Sequence, residues 1–186
     1  MKKNHILPIV FLLVFVLLLA GPLSPKEIPP FEQPVLIISA GQSADVQLAS
    51  VLAKRAGLNY SLSKTATAQD LADFKAIALV IGTSLKGLGA AGLDMDLEKE
   101  RVSSLIKAAQ QQNIPILCLH LGGEQRRGPL SDQMIKIVLP FAQQVIVVKT
   151  GNKDGLFTNI CATHSIPLIE VERTADALEP LKKAFF

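Results

Sequence analysis

The stretch HLGGEQRRGPLSD, residues 120–132, concentrates side chains that could bind or activate a small molecule. His120 is the candidate acid or base, because imidazole titrates near neutral pH. Arg126 and Arg127 carry planar guanidinium groups, which bind carboxylate or phosphate oxygens through two hydrogen bonds at once. Ser131 is expected to begin a helix, whose first backbone N–H groups would add donors for an anion. The stretch therefore predicts a site for a small anionic molecule.

The same stretch also has a structural interpretation. Glu124 and Asp132 could pair with the two arginines and form a self-neutralised surface loop. A lone histidine such as His120 is more often a hydrogen-bonded structural residue than a catalyst. His164, in the last turn of a predicted helix, is interpreted as a structural cap. A ligand site and a charged turn are both open on this evidence.

Polar and basic residues also follow two other apolar runs, in the stretches AGQS and GTSLK. Helix caps explain serine and threonine at such places. Caps do not explain the amide of Gln42 or the positive charge of Lys86. The predicted ligand-binding residues are Gln42, Ser43, Thr83, Ser84, Lys86, His120, Arg126 and Arg127.

The motifs of nucleotide-binding and metal-dependent proteins are misplaced or missing. A literal G-x-G-x-x-G occupies residues 87–92, but a dinucleotide fingerprint follows the first strand directly and opens a helix. This copy follows the third strand, and we predict a loop over the neighbouring crevice. The histidines and cysteines lack metal-ligand spacing, and the sequence has no G-x-S-x-G nucleophile elbow. We therefore predict no metal site and no cofactor, and the catalytic residues are unknown.

The elements that would position these residues are strands alternating with helices. Residues 35–40, 76–82, 114–121 and 144–150 are continuous apolar runs of strand length. Such runs are typical of parallel sheets that are covered on both faces. Helical periodicity lies between the runs. The pattern predicts one α/β domain with a doubly wound, flavodoxin-like parallel sheet of about six strands and helices on both faces.

The strand order follows from which runs are polar. Residues 58–64 and 166–172 carry polar side chains at alternate positions, which suits exposed edge strands, whereas residues 76–82 are uniformly apolar and should be central. This favours the order 2-1-3-4-5-6. The winding direction then reverses between strands 1 and 3, and ligands bind beyond the carboxyl ends of the strands at such a point.

The amino-terminal segment predicts export. Residues 1–23 begin with two lysines and continue as an apolar run over residues 6–23, typical of a signal peptide or, if uncleaved, of an amino-terminal membrane anchor. Residues 24–33 read as a proline-rich spacer, and residues 34–186 as the α/β domain. We expect the domain to lie outside the cytoplasmic membrane, either secreted or anchored by this segment.

Charge and composition exclude some partners. The net charge of +3 includes Lys2 and Lys3, so the rest of the chain carries only +1, which is no footprint for nucleic acid. The chain has no tryptophan and only 5% aromatic residues, which argues against stacking platforms for bases or sugars. Cys118 and Cys161 are interpreted as buried free thiols, although an exported protein permits a disulfide.

The stretches PVLIISAGQSADV, HLGGEQRRGPLSD and KTGNKDGLFT resemble landmarks of a family of exported bacterial proteins known only as a domain of unknown function. The resemblance covers nearly all of the chain after residue 33 and implies export and an α/β domain. Taken together, the sequence predicts an extracytoplasmic domain that binds a small anionic ligand. An exported hydrolase-like enzyme using His120 as acid or base and a protein-interaction domain without small ligand are the alternatives.

Overall fold

Each predicted apolar run forms a strand of one parallel sheet in the computed structural model, which describes residues 29–186. The strands are β1 Val35–Ala40, β2 Tyr60–Ser63, β3 Ala76–Ile81, β4 Ile116–His120, β5 Gln144–Val148 and β6 Leu168–Val171. All five neighbouring pairs are parallel, and their order is β2-β1-β3-β4-β5-β6. The predicted fold class and strand order are therefore confirmed.

Burial of the strands explains this order. All six residues of β1 and of β3 are buried, so these strands need helices on both faces and a neighbour on each side. β2 and β6 keep partly exposed residues and form the two edges of the sheet. The polar residues of the edge strands thus carried the information about strand order.

In the described part of the chain, residues 29–186, six α-helices cover the two faces of the sheet. They are α1 Asp45–Ala56, α2 Leu85–Ala90, α3 Met95–Gln111, α4 Pro129–Val138, α5 Leu156–His164 and α6 Leu178–Phe185. α3, α4 and α5 contribute to one buried apolar cluster, and α1 and α6 contribute to the cluster on the opposite face. The sheet therefore lies between two cores.

Residues 87–90 of the G-x-G-x-x-G segment are helical and residues 91–92 form a turn, so the predicted loop is wrong over the first four residues. α2 begins after Ser84, whose hydroxyl accepts a hydrogen bond from Gly87 N at 3.1 Å. Leu88 is only 2% exposed and anchors the helix in the core. At Gly87, a Cβ atom would lie 2.0 Å from the carbonyl oxygen of Gln42. The glycine is thus needed for close packing against the loop after β1, and the serine cap and one buried leucine suffice to form a short helix.

One predicted helix boundary is shifted. α4 begins at Pro129 rather than at Ser131, because proline suits the first helical position, where no N–H partner is needed. Near the carboxyl end, a 3₁₀ turn at Thr174–Ala177 runs directly into α6. Pro180 lies in the first turn of α6, where proline is tolerated.

The predicted signal or anchor, residues 1–23, and the first part of the spacer lie outside the described residues, so export stays a prediction. Within residues 29–186, none of the helices has the length and apolar character required to cross a membrane. Cys118 and Cys161 are both buried, and both are free thiols, as predicted.

Candidate functional site

The chain makes a tight crossing where the winding direction reverses, at the carboxyl ends of β1 and β3. Gln42 and Thr83 pair there in an isolated antiparallel bridge. Gly41 has φ +108°, and a Cβ atom at this position would lie 2.5 Å from the carbonyl oxygen of Gly82. Gln42 has φ 60°, a left-handed conformation that non-glycine residues rarely adopt. Such outliers persist where the surrounding contacts hold them, and they cluster at binding and catalytic sites.

A buried ion pair on α3 holds this crossing in place. Glu98 is 0% exposed and accepts hydrogen bonds from Gly41 N at 2.8 Å and from Gln42 Nε2 at 3.2 Å. Arg101 donates to the same carboxylate through Nε and one terminal nitrogen, each at 2.8 Å. Its terminal nitrogens also donate to the carbonyl oxygens of Ser39 and Ala66. The charge of Glu98 is thus compensated, and its oxygens are fully used.

The sequence interpretation missed Glu98, although a signal was present. Glu98 lies four residues before Val102, so it continues the apolar stripe of α3 towards the start of the helix. A carboxylate on a buried stripe requires a partner. Arg101, three residues later on the same side of the helix, is that partner.

The hydrogen bonds of Gln42 fix the orientation of its amide. Gln42 Nε2 faces three acceptors, the carbonyl oxygen of Lys64 at 2.9 Å and both carboxylate oxygens of Glu98. This atom must therefore be the nitrogen. Within residues 29–186, Gln42 Oε1 accepts no hydrogen bond. The side chain as a whole is only 7% exposed.

A cavity of about 300 Å³ opens beside this amide, and we name it the Gln42 cavity. Its lining residues are Gln42, Lys64, Thr65, Gly87, Ala90 and Ala91. Lys64 is exposed and forms no ion pair within residues 29–186. Lys64 and Thr65 follow β2 just as Gln42 follows β1, and this was the signal that sequence reasoning missed.

A second cavity, of about 190 Å³, lies between the loop after β3 and the start of α4, and we name it the Thr83 cavity. Its lining residues are Thr83, Leu85, Arg127, Gly128, Pro129, Leu130 and Ser131. Thr83 N donates to Ser131 Oγ at 3.0 Å, which joins the two walls. The structure thus brings the predicted residues Thr83 and Arg127 together here.

The guanidinium of Arg127 is already occupied by protein acceptors. It donates to Asp132 at 2.7 Å, to both carboxylate oxygens of Asp154 at 2.7 and 2.9 Å, and to the carbonyl oxygen of Gly151. The hydrogen bonds that Arg127 donates to Asp154 and Asp132 raise the pKa of Arg127, and Arg127 in turn lowers the pKa of both carboxyls. Arg127 therefore braces the segments that carry these acceptors. Of the two partners that the self-neutralised alternative named, Asp132 pairs with Arg127, whereas Glu124 pairs with Lys153.

Arg126 and Ser43 both contact Asp45, at the rim that the loops after the carboxyl ends of the strands form. Arg126 Nε donates to Asp45 Oδ1 at 3.0 Å, and Asp45 N donates to Ser43 Oγ at 3.3 Å. Asp45 is only 4% exposed, and its second oxygen has no partner within the described residues. Ser43 is 1% exposed. These two predicted residues are thus fixed by Asp45 and contribute to neither cavity.

His120 is enclosed beneath the rim. It is 0% exposed, with Nδ1 3.0 Å from the carbonyl oxygen of Ile81 and Nε2 3.1 Å from that of Gly123. Its ring packs 5.1 Å from the ring of Phe157. Burial lowers the pKa of His120, which favours the neutral ring. Both nitrogens face backbone carbonyls, and the neutral ring, which has a single N–H group, donates to one of them. The geometry therefore assigns His120 a structural role between the end of β3 and the loop after β4.

The remaining predicted residues lie on α2 and its cap. Ser84 caps the helix, and Lys86 is exposed on its first turn, outside the lining of both cavities. Within residues 29–186, no cluster of three or more histidine, cysteine, aspartate or glutamate side chains is placed to hold a metal ion.

The comparison with protein families matches a family model, described as a domain of unknown function, DUF6305, over residues 32–185. The chain belongs to the DUF6305 family. The match spans the whole sheet and all six described α-helices. No curated protein matches the chain.

Several solved structures resemble the DUF6305 chain weakly. A GDSL-like lipase from Bacteroides thetaiotaomicron is 13% identical over 73% of this chain and 66% of the lipase, with a TM-score of 0.34. A putative acylhydrolase from Bacteroides fragilis is 13% identical over 78% of this chain and 72% of its own, also at 0.34. The psychrotrophic esterase EstA from Pseudoalteromonas sp. is 12% identical over 75% and 78%, at 0.31. At these scores the similarities assign no activity to the DUF6305 chain.

Proposed function

We propose that this DUF6305 domain binds a small anionic molecule in the Gln42 cavity, at the carboxyl-end rim of the sheet. One observation carries the proposal: Lys64 and the buried side chain of Gln42 line the same cavity, and Lys64 is a cation without an ion pair among the described residues. The position agrees with the general location of ligands in doubly wound sheets, beyond the strand ends where winding reverses.

The charges of the rim favour Lys64 over the two arginines as the group that receives an anion. Arg126 and Arg127 already pair with aspartates at 2.7 to 3.0 Å. An incoming anion would have to displace these carboxylates or be repelled by them. Lys64 has no such competitor within the described part of the chain, so an anion can approach it without displacing a carboxylate.

The part of the cavity wall that Gln42 forms is held rigid before any ligand arrives. Gln42 is fixed by Glu98, by the carbonyl oxygen of Lys64 and by the bridge to Thr83. Binding to a fixed wall costs little conformational entropy, which is the general advantage of a preorganised site. The left-handed backbone of Gln42 is thus explained as the conformation that places this amide at the cavity.

The geometry supports binding and identifies no acid or base for catalysis. The hydrolase alternative relied on His120, but both ring nitrogens face backbone carbonyls and the residue is fully buried. A group that exchanges protons with a substrate must come within hydrogen-bond reach of it. His120 has no such access in this arrangement.

Thermal stability in the presence of matched compounds tests the proposal. The full chain is melted by circular dichroism, since it lacks tryptophan, with lactate, propionate or phosphate, and with the neutral propane-1,2-diol, at constant ionic strength. A ligand that binds the folded state raises the melting temperature by mass action. We expect one or more of the anions to raise it in a saturable way, and the neutral diol to leave it unchanged.

Two lysine variants locate the effect. Lys64→Met removes the cation from the cavity, and Lys107→Met removes an exposed lysine from α3 as a matched control. We expect the anion-dependent rise in melting temperature to be lost in Lys64→Met and kept in Lys107→Met. The proposal is wrong if none of the anions stabilises the chain, or if Lys64→Met responds to them as the unchanged chain does.

A further inference from the structure

We infer that the ligand of the Gln42 cavity is a small monoanionic carboxylate that also carries a hydroxyl group. The inference rests on the proposed function and specifies the chemistry of its ligand. It follows from which polar atoms around the cavity donate hydrogen bonds and which accept them.

The amide of Gln42 offers the ligand an acceptor. Its nitrogen is committed to Lys64 O and to the Glu98 carboxylate, all of which can only accept. Gln42 Oε1 is the atom left over, with no donor within residues 29–186. A carbonyl oxygen can only accept a hydrogen bond. A ligand that satisfies it must therefore bring an O–H or N–H group.

Lys64 offers the ligand the opposite chemistry. Its ammonium group only donates and carries the positive charge of the cavity wall. The same residue accepts the Gln42 amide through its backbone oxygen at 2.9 Å, so donor and acceptor groups arise from adjoining parts of one wall. One small molecule with an anionic group and a donor can therefore reach both.

The charge around the cavity limits the anion to a single negative charge. Lys64 is the one charged side chain among the six lining residues. Glu98, behind Gln42, is already neutralised by Arg101 at 2.8 Å and adds no positive charge. A dianionic phosphate would leave one charge without a partner, whereas a carboxylate is matched by one ammonium group.

The same cation selects a hydroxyl over an ammonium as the donor of the ligand. A ligand ammonium would lie in the same cavity as the Lys64 ammonium, and like charges repel each other. A hydroxyl donates to Gln42 Oε1 without that cost. The remaining lining includes Gly87, Ala90 and Ala91, which offer small apolar contacts to the carbon atoms of the ligand.

Lactate and propionate test the inference, because they differ only by one hydroxyl group. Their dissociation constants for the full chain are measured by ligand-observed NMR titration at constant ionic strength. One additional neutral hydrogen bond corresponds to roughly 3- to 10-fold in affinity. We expect lactate to bind that much more tightly than propionate, and alanine, which carries an ammonium instead, to bind more weakly than lactate.

A Gln42→Met variant assigns the hydroxyl to its partner. We expect the ratio of the propionate and lactate dissociation constants to fall to about 1 in this variant. Equal binding of lactate and propionate to the unchanged chain would overturn the inference and leave the proposed function standing. Binding of neither compound, nor of phosphate, would refute the proposed function itself. If Gln42→Met does not fold, the ratio in the unchanged chain still decides.

Discussion

Gln42 is the residue at which the backbone and the side-chain network of the rim meet. Its φ of 60° carries a cost for a residue with a Cβ atom, and that cost has to be offset by contacts. The contacts are the hydrogen bonds to Glu98 and Lys64 O and the bridge to Thr83. Sequence reasoning selected Gln42 because a cap does not need a long amide, but it could not foresee the left-handed backbone.

His120 gives a prediction about acidity. Burial lowers its pKa below the ordinary value of 6.5, so the unfolded chain binds a proton at a pH where the folded chain does not. The free energy of unfolding should therefore fall as the pH drops below about 6.5, by at most about 1.4 kcal/mol for each pH unit. Urea unfolding followed by circular dichroism at pH 7, 6 and 5 measures this slope.

Two histidine variants identify the group responsible. His120→Asn removes the buried imidazole, and we expect the slope between pH 7 and pH 5 to become shallower. His164→Asn removes an exposed imidazole at the end of α5 and should leave the slope unchanged. The assignment is contradicted if the two variants show the same slope as the unchanged chain.

At the scale of elements, the apolar pattern predicted more than the polar pattern did. The six strands and their order followed from runs that are apolar on both faces at the centre and half polar at the edges. Whether a strand is exposed can be predicted from the polar or apolar character of its own residues, so a single sequence is sufficient. The pairing of Glu98 with Gly41 joins residues 57 positions apart, and no spacing rule announces such a contact.

The arginine pair shows where polar prediction fails. Arg127 is placed at the rim, as expected, but Asp132 and Asp154 occupy its guanidinium. The sequence offered both an anion clamp and a self-neutralised loop, and only the fold brings Asp154 within 2.7 Å from the loop after β5. The loop prediction was wrong for residues 87–90 for a related reason, because the buried contact of Leu88 outweighs the low helix propensity of glycine.

Arg127→Lys tests the bracing role. Lysine keeps the positive charge but cannot bind Asp132, Asp154 and Gly151 O together, since it lacks the planar fork. We expect the free energy of unfolding, measured with urea at pH 7, to fall by about 1 to 3 kcal/mol. Arg173→Lys changes an ion pair with Asp176 on an exposed side chain and should cost less. Unchanged stability in Arg127→Lys would show that the brace contributes nothing.

At the scale of the whole molecule, the carboxyl ends and the amino ends of the strands offer different surfaces. The carboxyl-end rim has the Gln42 cavity of about 300 Å³, with a cation and a buried amide. The amino-end edge has two larger grooves, of about 510 and 620 Å³, which share Asn113, Ile114, Pro115 and Gln143. Volume alone would favour the grooves. Polar side chains line the grooves as well, so the rim is favoured by its position, since ligands of doubly wound sheets bind beyond the carboxyl ends of the strands.

Mapping the position of a bound anion decides most directly between the carboxyl-end rim and the amino-end grooves. The full chain is labelled with ¹⁵N and titrated with lactate at constant ionic strength, and backbone amide shifts are followed by NMR. The account predicts saturable shifts with one dissociation constant at Gln42, Lys64, Thr65 and Gly87, which line the Gln42 cavity. Shifts centred on Asn113 and Gln143 at the amino-end grooves, or no saturable shift at any residue, would contradict it.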